Sequence, residues 1–253
     1  MKYDVQLCEV LRRVQTAENT FDYTVLVPKL AEVAQPGQFA HIYVPGKTLR
    51  RPISICDIDK KNGTLRFVFQ IRGAGTEQLS KFEVGDKMDI LAPLGHGFTF
   101  DPNAHNLFIG GGIGVPPMLE LAKELDCEKT IVLGYRDELF LNKEFEQYGK
   151  VVIATEDGSC GTKGNVLDAI RAESVDGQVI YSCGPTPMLR ALKQYAADKG
   201  IEAWISLEEK MACGIGACLA CVCKSKDVDH HTNVHNKRIC KDGPVFNAQE
   251  VEL

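Results

Sequence analysis

Four cysteines near the carboxyl end carry the clearest chemistry in this chain. Cys213, Cys218 and Cys221 stand as C-x4-C-x2-C, and Cys240 follows after eighteen further residues. That is the spacing of plant-type 2Fe-2S sites. A tight loop lets three thiolates converge on one side of a compact cluster, and a distant fourth closes the other. Gly214 and Gly216 supply the backbone freedom such a loop needs, while Ala212, Ala217 and Ala220 leave room for inorganic sulfide. The competing arrangement is a structural zinc site built from Cys221, Cys223, Cys240 and one of His230, His231 or His235. A Rieske centre needs two histidine ligands placed close behind cysteines, a pattern this chain lacks. The three histidines are therefore expected as solvated loop residues and Cys223 as an extra thiol.

A second constellation lies further upstream. Gly110-Gly111-Gly112-Ile113-Gly114 falls between an apolar strand and a helical pattern, where backbone N–H groups and the helix dipole favour a pyrophosphate. Val115 occupies the last position of the G-x-G-x-x-G fingerprint, so the run gains weight only from its company. That company is Cys183-Gly184-Pro185 at the end of a later strand, where a small thiol, a flexible glycine and a rigid proline let a flat ring lie close to the backbone. Taken alone, Cys183 reads first as a small core residue. Glu156 and Asp157, after the strand ending at Thr155, would repel a 2'-phosphate, which predicts NADH over NADPH. Arg136 is the residue that argues the other way. A third group, Arg51-Pro52-Ile53-Ser54 with Gly75-Thr76, is by physics alone a cation, a hydroxyl and a glycine turn.

These residues need rigid elements to hold them. Up to about residue 94, short β-branched and aromatic runs (21–27, 39–44, 64–71 and 87–91) alternate with Pro-Gly, Asn-Gly and Val-Gly-Asp turns, which predicts a small barrel. Near Asp101 the period changes. Strands at 107–109, 130–133, 151–155 and 179–182 alternate with helical spacing at 117–125, 166–172 and 188–197, which is a βαβ pattern and a parallel sheet. Beyond Ser206 periodicity fades into a cysteine-rich, loop-rich tail that needs a staple. With 253 residues, two or three compact units are expected.

Composition narrows the partners. The net charge of -5 arises from 29 basic and 34 acidic residues with no dense basic run, which argues against nucleic acid. No leader pattern or membrane-length apolar run occurs, so the chain is expected to be soluble and cytoplasmic, with no membrane partner. Five of the ten cysteines crowd between Cys213 and Cys240, which favours metal ligation over disulfides in such a chain.

In this order the motifs resemble the ferredoxin-reductase superfamily and, within it, the family of electron-transfer subunits of type B dihydroorotate dehydrogenases. The carrying motifs are Arg51 to Ser54, Gly73-Ala74-Gly75-Thr76, the Gly110 run, Thr155-Glu156-Asp157-Gly158-Ser159, Cys183-Gly184-Pro185 and Cys-Lys-Asp-Gly-Pro-Val-Phe from Cys240. The resemblance covers essentially the whole chain. It implies an antiparallel six-stranded FAD-binding barrel over residues 1–100, a parallel-sheet α/β NAD-binding domain over 101–206 and a small 2Fe-2S domain over 207–253.

The resemblance also implies roles. Arg51, Pro52, Ile53 and Ser54 would hold FAD, with Ser54 near the flavin N5 and Arg51 neutralising phosphate. Val68, Phe69 and Gln70 would line the isoalloxazine and ribityl, and Gly75-Thr76 the pyrophosphate. An aromatic residue is common in the superfamily where this chain has Ile53, so an aliphatic contact replaces ring stacking there. NAD would contact Gly110, Gly111, Gly112, Gly114, Glu156, Asp157, Cys183, Gly184 and Pro185, with its nicotinamide between Cys183 and the flavin.

Nicotinamide gives electrons in pairs and a 2Fe-2S cluster takes them singly, so a flavin is the needed converter. The implied partner is an FMN-containing dihydroorotate dehydrogenase catalytic subunit, two copies of each forming a heterotetramer in pyrimidine biosynthesis. The rivals are an NAD(P)H reductase serving ferredoxin or another acceptor, and a non-catalytic zinc or redox-sensing module.

Overall fold

Alternation builds the first half of the protein. In the computed structural model, which describes residues 3–229 and 233–253, Leu65, Phe67 and Phe69 on one strand turn inward while Thr64, Arg66 and Gln70 stay partly exposed. Side chains at every second position of a strand share a face; on the opposite face Val68 is buried as well. The elements in order are β1 (Asp4–Ala17), β2 (Thr20–Leu26), α1 (Pro28–Val33), β3 (Phe39–Ile42), β4 (Arg51–Asp59), β5 (Thr64–Gln70), α2 (Ala74–Leu79) and β6 (Lys87–Leu94). The six strands close into an antiparallel barrel, β1-β2-β5-β4-β3-β6, which leaves no unpaired edge.

Its core holds Tyr23, Val25, Ile42, Ile55, Phe67 and Phe69, with Tyr23 stacked on Phe69 at 5.6 Å between ring centroids. Truncating Phe67 to alanine would cost about 3–5 kcal/mol by leaving a cavity. On the outer face of β2, Asp22 is fully buried between Arg66, which reaches it with Nε at 2.9 Å and Nη2 at 2.8 Å, and Arg12 at 2.6 Å. Two guanidinium groups on one carboxylate tie β1, β2 and β5 together.

The second half continues with β7 (Asn106–Gly111), a 3-10 turn at Gly112–Gly114, α3 (Val115–Glu124), β8 (Lys129–Tyr135), α4 (Asn142–Phe145), β9 (Lys150–Thr155), β10 (Thr162–Lys163), α5 (Val166–Ala172), β11 (Val179–Cys183), α6 (Thr186–Lys199) and β12 (Glu202–Ser206). After it come β13 (Val222–Asp229), β14 (Val234–Arg238), α7 (Ile239–Asp242) and β15 (Val245–Asn247). The sheet runs β10-β9-β8-β7-β11-β12-β15 and is parallel except for β15. The chain builds outward from β7 in one direction through β8 and β9, then returns to its other side with β11, so β7 and β11 flank the switch point.

Two compact units result. One comprises Met1–Gly97, Glu208–Val222 and Arg238–Pro244; the other comprises Phe98–Leu207, Cys223–Lys237 and Val245–Leu253. The region beyond Ser206 thus contributes to both units.

Several local expectations need correction. The stretch after Ser206 is not uniformly irregular: β13 and β14 pair with each other, but their many charged residues hide any apolar alternation. β1 was invisible for a related reason, since only Cys8 and Val10 of its fourteen residues are fully buried. The helices α1 and α2 span six residues each, too few to establish a helical period. No helix among the described residues is long and apolar enough to cross a membrane.

Candidate electron-transfer sites

None of the ten cysteines forms a disulfide. The four in the ligand pattern lie in the barrel unit, on the loop before β13 and on α7. Gly214 and Gly216 have φ of +72 and +82, the left-handed region where a side chain is strained, and there they turn the chain around the sulfurs. The turn aims backbone N–H groups inward. Ile215 and Ala217 donate to Cys213 Sγ at 3.5 and 3.3 Å, and Gly216 donates to Cys240 Sγ at 3.1 Å. Such a concave run of amides favours anionic sulfur.

The thiols meet as two pairs. Cys213 bonds with Cys218, and Cys221 with Cys240. Burial acts to raise the Cys213 thiol, but the Ile215 N–H and the Cys218 thiol outweigh it and bring the pKa down to about 7. The Cys240 thiol, hydrogen-bonded to Cys221, lowers that residue to about 6 against the effect of burial. Cys240 correspondingly holds its proton more tightly, with burial adding to the rise. Because the thiolate is the metal ligand, two thiol pairs surrounded by N–H donors fit a binuclear iron centre, which these four cysteines would hold. Among the described residues, no group of three or more His, Cys, Asp or Glu is arranged around a single-ion site.

Neighbouring contacts hold these loops. The Ile239 N–H donates to the Cys221 carbonyl at 2.9 Å, and Arg238 donates to both carboxylate oxygens of Asp242 across α7. The His96 N–H reaches the Gly243 carbonyl at 2.6 Å, anchoring the Cys240 segment to the end of β6.

The zinc alternative fares differently by residue. Cys223 stands half-buried on β13. His235 lies on β14 rather than in a loop; it is exposed, with Nδ1 at 2.7 Å from the Lys226 carbonyl. His230 and His231 lie outside the described residues.

In the same unit, the flavin motif begins β4. The Arg51 guanidinium occupies the space a side chain on Gly75 would fill, with Cζ and Nη2 2.5 Å from the position of a β-carbon there. A fixed cation therefore overlies the backbone of Gly75-Thr76, a cradle suited to a diphosphate. Thr76 Oγ1 accepts from the Arg72 N–H at 2.9 Å and donates to the Gly73 carbonyl at 3.1 Å, closing the turn. Pro52 and Ser54 are partly exposed, whereas Ile53 belongs to the barrel core. Phe69 is likewise in the core, so its ring faces inward and only its backbone is free for a ligand; Val68 lies outside the core cluster and Gln70 is half-exposed.

His41, unremarked in the sequence, proves unusual. It sits fully buried on β3, opposite Pro52 of β4. Burial first, then the charge of Arg50, lowers its pKa to about 4, so the ring is neutral. No sequence signal marked it, since a lone histidine in a strand has no period or partner to betray it.

The other unit gathers the dinucleotide residues. Gly110 and Cys183 are direct partners at the ends of β7 and β11, beside the switch point, where open parallel sheets bind ligands. A β-carbon on Gly114 would collide with the Cys183 carbonyl and come within 2.5 Å of the Gly184 nitrogen. Gly111 and Gly184 likewise leave room for Met188, a neighbour missed in the sequence. Gly112, with φ of +51, faces open space.

Further along the same edge, the Glu156 N–H donates to the Tyr135 carbonyl at 3.2 Å and the Asp157 N–H to the Arg136 carbonyl at 3.3 Å. The Asp157 carboxylate accepts from the Ser159 N–H at 3.0 Å and hydroxyl at 2.8 Å, and these bonds lower its pKa. Arg136 pairs with Asp137 at 3.3 Å, so acid and base meet at one strand end.

Comparison with known proteins accords with this geometry. Residues 208–252 match the family described as the iron-sulfur cluster binding domain of dihydroorotate dehydrogenase B. The chain is 42% identical over 248 residues to the dihydroorotate dehydrogenase B (NAD(+)) electron transfer subunit of Geobacillus kaustophilus, covering 94% of each. It is 40% identical to the Fusobacterium nucleatum counterpart, covering 98% of this chain and 99% of that one. Among solved structures, an NADH-dependent reduced ferredoxin-NADP oxidoreductase studied for flavin-based electron bifurcation superposes with a TM-score of 0.87 at 32% identity, over 98% of this chain and 90% of that one. The ferredoxin reductase of carbazole 1,9a-dioxygenase, at 20% identity, a TM-score of 0.66 and coverage of 79% of this chain and 67% of that one, shares the fold. With kinship over nearly its full length and the four-cysteine centre in place, the chain belongs to the family of dihydroorotate dehydrogenase B electron transfer subunits.

Proposed function

We propose that this chain carries electrons between NAD and the FMN-containing catalytic subunit of a dihydroorotate dehydrogenase, by way of FAD and a 2Fe-2S cluster, in pyrimidine biosynthesis. The observation that carries the reading is the meeting of Cys213 with Cys218 and of Cys221 with Cys240 inside a turn of inward-pointing amides. FAD, when bound, supplies the conversion between paired and single electrons.

The chain's own residues do the positioning. Arg51 and Gly75-Thr76 hold the diphosphate of FAD, while Ser54 presents its hydroxyl to the ring and Pro52, Ile53, Val68, Phe69 and Gln70 shape the surroundings. The Gly110 to Gly114 turn admits the NAD backbone, Glu156 and Asp157 select the unphosphorylated ribose, and Cys183 to Pro185 let the nicotinamide approach the strand end. Functionally the segments are 1–100 for FAD, 101–206 for NAD and 207–253 for the cluster. The assembly is a cytoplasmic heterotetramer with two copies of each subunit.

The testing measurement is an anaerobic absorption spectrum of purified, cofactor-loaded protein before and after NADH. A yellow-brown protein with iron and sulfide that bleaches on addition is expected; a colourless protein containing zinc refutes the reading. The likeness to the ferredoxin-NADP oxidoreductase favours a second reading, in which ferredoxin is the electron partner. Co-purification of a dihydroorotate-oxidising subunit decides for the first.

A further inference from the structure

We propose that His41 is a positioning residue for the cluster, its ring N–H supporting the Cys213–Gly214 segment from beneath and tying it to the flavin-binding strand β4. This inference rests on the cofactor reading above. Neither ring nitrogen of His41 has a hydrogen bond of good geometry, although the residue is fully buried. An apolar side chain would fill the same space without the cost of burying an imidazole, so a histidine here calls for a use of its nitrogens.

The geometry shows where that use lies. Gly214, between ligand Cys213 and the rest of the loop, packs its backbone on the ring: a β-carbon there would stand 2.7 Å from His41 Nδ1. The carbonyls of Cys213 and Arg50 both face the imidazole. Arg50 in turn donates through Nη1 to the His41 carbonyl at 3.2 Å and leads directly into Arg51 of the flavin motif. Within one unit, a single side chain therefore touches the cluster loop and adjoins the strand that begins the flavin site. Hydrogen bonds around a metal centre orient its ligands and tune its potential.

The test uses the full chain loaded with FAD and iron-sulfur cluster, and compares His41→Phe, His41→Leu and His41→Asn with the unaltered protein. Three quantities are read: the EPR g-values of the reduced cluster, the midpoint potentials of cluster and flavin, and the rate at which a chelator strips iron. Phenylalanine is expected to lower the cluster potential, shift the g-values and speed iron loss roughly 10-fold, the low end for losing a supporting bond around a metal site, with the flavin potential unmoved. Asparagine, whose amide N–H can donate in place of the ring N–H, is expected to restore all three. If His41→Phe does not fold, His41→Leu, which also removes both ring nitrogens, is expected to give the same shift.

Cluster properties unchanged in His41→Phe, or in His41→Leu where the former does not fold, overturn the proposal, as does an asparagine variant that folds but does not restore them. Absence of iron and sulfide from the unaltered protein defeats the cofactor reading itself and is seen before any variant is made.

Discussion

The guanidinium of Arg51 lies in the space that Gly75 leaves empty, 2.5 Å from where a β-carbon would stand. Two residues more than twenty positions apart thus share one small volume, and each needs the other's character. Gly75→Ala should displace the cation, and Arg51→Ala should remove it. Loss of a charge-assisted hydrogen bond is worth about 1.5–3 kcal/mol, so each variant should bind FAD roughly 10- to 100-fold more weakly. Flavin fluorescence during dilution reads the release directly; retention as tight as in the unaltered protein would remove Arg51 from the site.

The four sulfurs should be individually required and the fifth dispensable. Serine at Cys213, Cys218, Cys221 or Cys240 is expected to abolish or sharply reduce bound iron and acid-labile sulfide, because each supplies one of four ligands. Cys223→Ser should keep both at the unaltered ratio. Elemental analysis settles it, and loss of metal on changing Cys223 would move the ligand set toward the zinc arrangement.

At the sheet edge, Gly114→Ala places a methyl group against the Cys183 carbonyl. Backbone cannot yield as a flexible side chain does, so the ends of β7 and β11 must part. NADH should then bind at least about tenfold more weakly, a change of 1.4 kcal/mol, while FAD and iron contents stay normal. Anaerobic titration of flavin absorbance with NADH makes the measurement, and an unchanged half-saturation point would count against this turn as the nucleotide site.

Cys183 should act on rate more than on affinity. Cys183→Ala keeps the close approach of β11 to Gly110 but changes the atom beside the proposed nicotinamide. Stopped-flow single turnovers are expected to show slower flavin reduction with nearly unaltered NADH binding. Identical rates would return Cys183 to the role of a small packing residue.

Discrimination between the nicotinamide cofactors should reside at Glu156 and Asp157. A carboxylate at the strand end repels a second phosphate, so NADH should exceed NADPH in kcat/KM. The double variant Glu156→Ser with Asp157→Ser should narrow the ratio by about tenfold, or 1.4 kcal/mol. Equal use of both cofactors by the unaltered protein would contradict this assignment.

Much was readable along the chain because its causes are local. The β-branched and aromatic run of β5, the helical stripe of α6 at Leu189, Leu192 and Ala196, and the C-x4-C-x2-C turn each depend on residues within a few positions of one another. The βαβ succession after Asp101 follows from those periods alone. The candidate ligands Cys213, Cys218 and Cys221 are of the same kind, since a short loop has few ways to close around its own sulfurs.

What tertiary structure alone decided concerns partners far apart in sequence. Cys221 meets Cys240 only because α7 brings the later cysteine back, and Gly216 aims its amide at that sulfur. Arg51 finds Gly75 across β5, Gly114 finds the Cys183 carbonyl across a strand boundary, and His41 finds Gly214 from the other end of the chain. Charge-rich β13 and β14 pair although no apolar period marks them. Periodicity records which face of an element is buried, but not what lies against that face; that choice follows from how the closed barrel and the parallel sheet bring distant segments together.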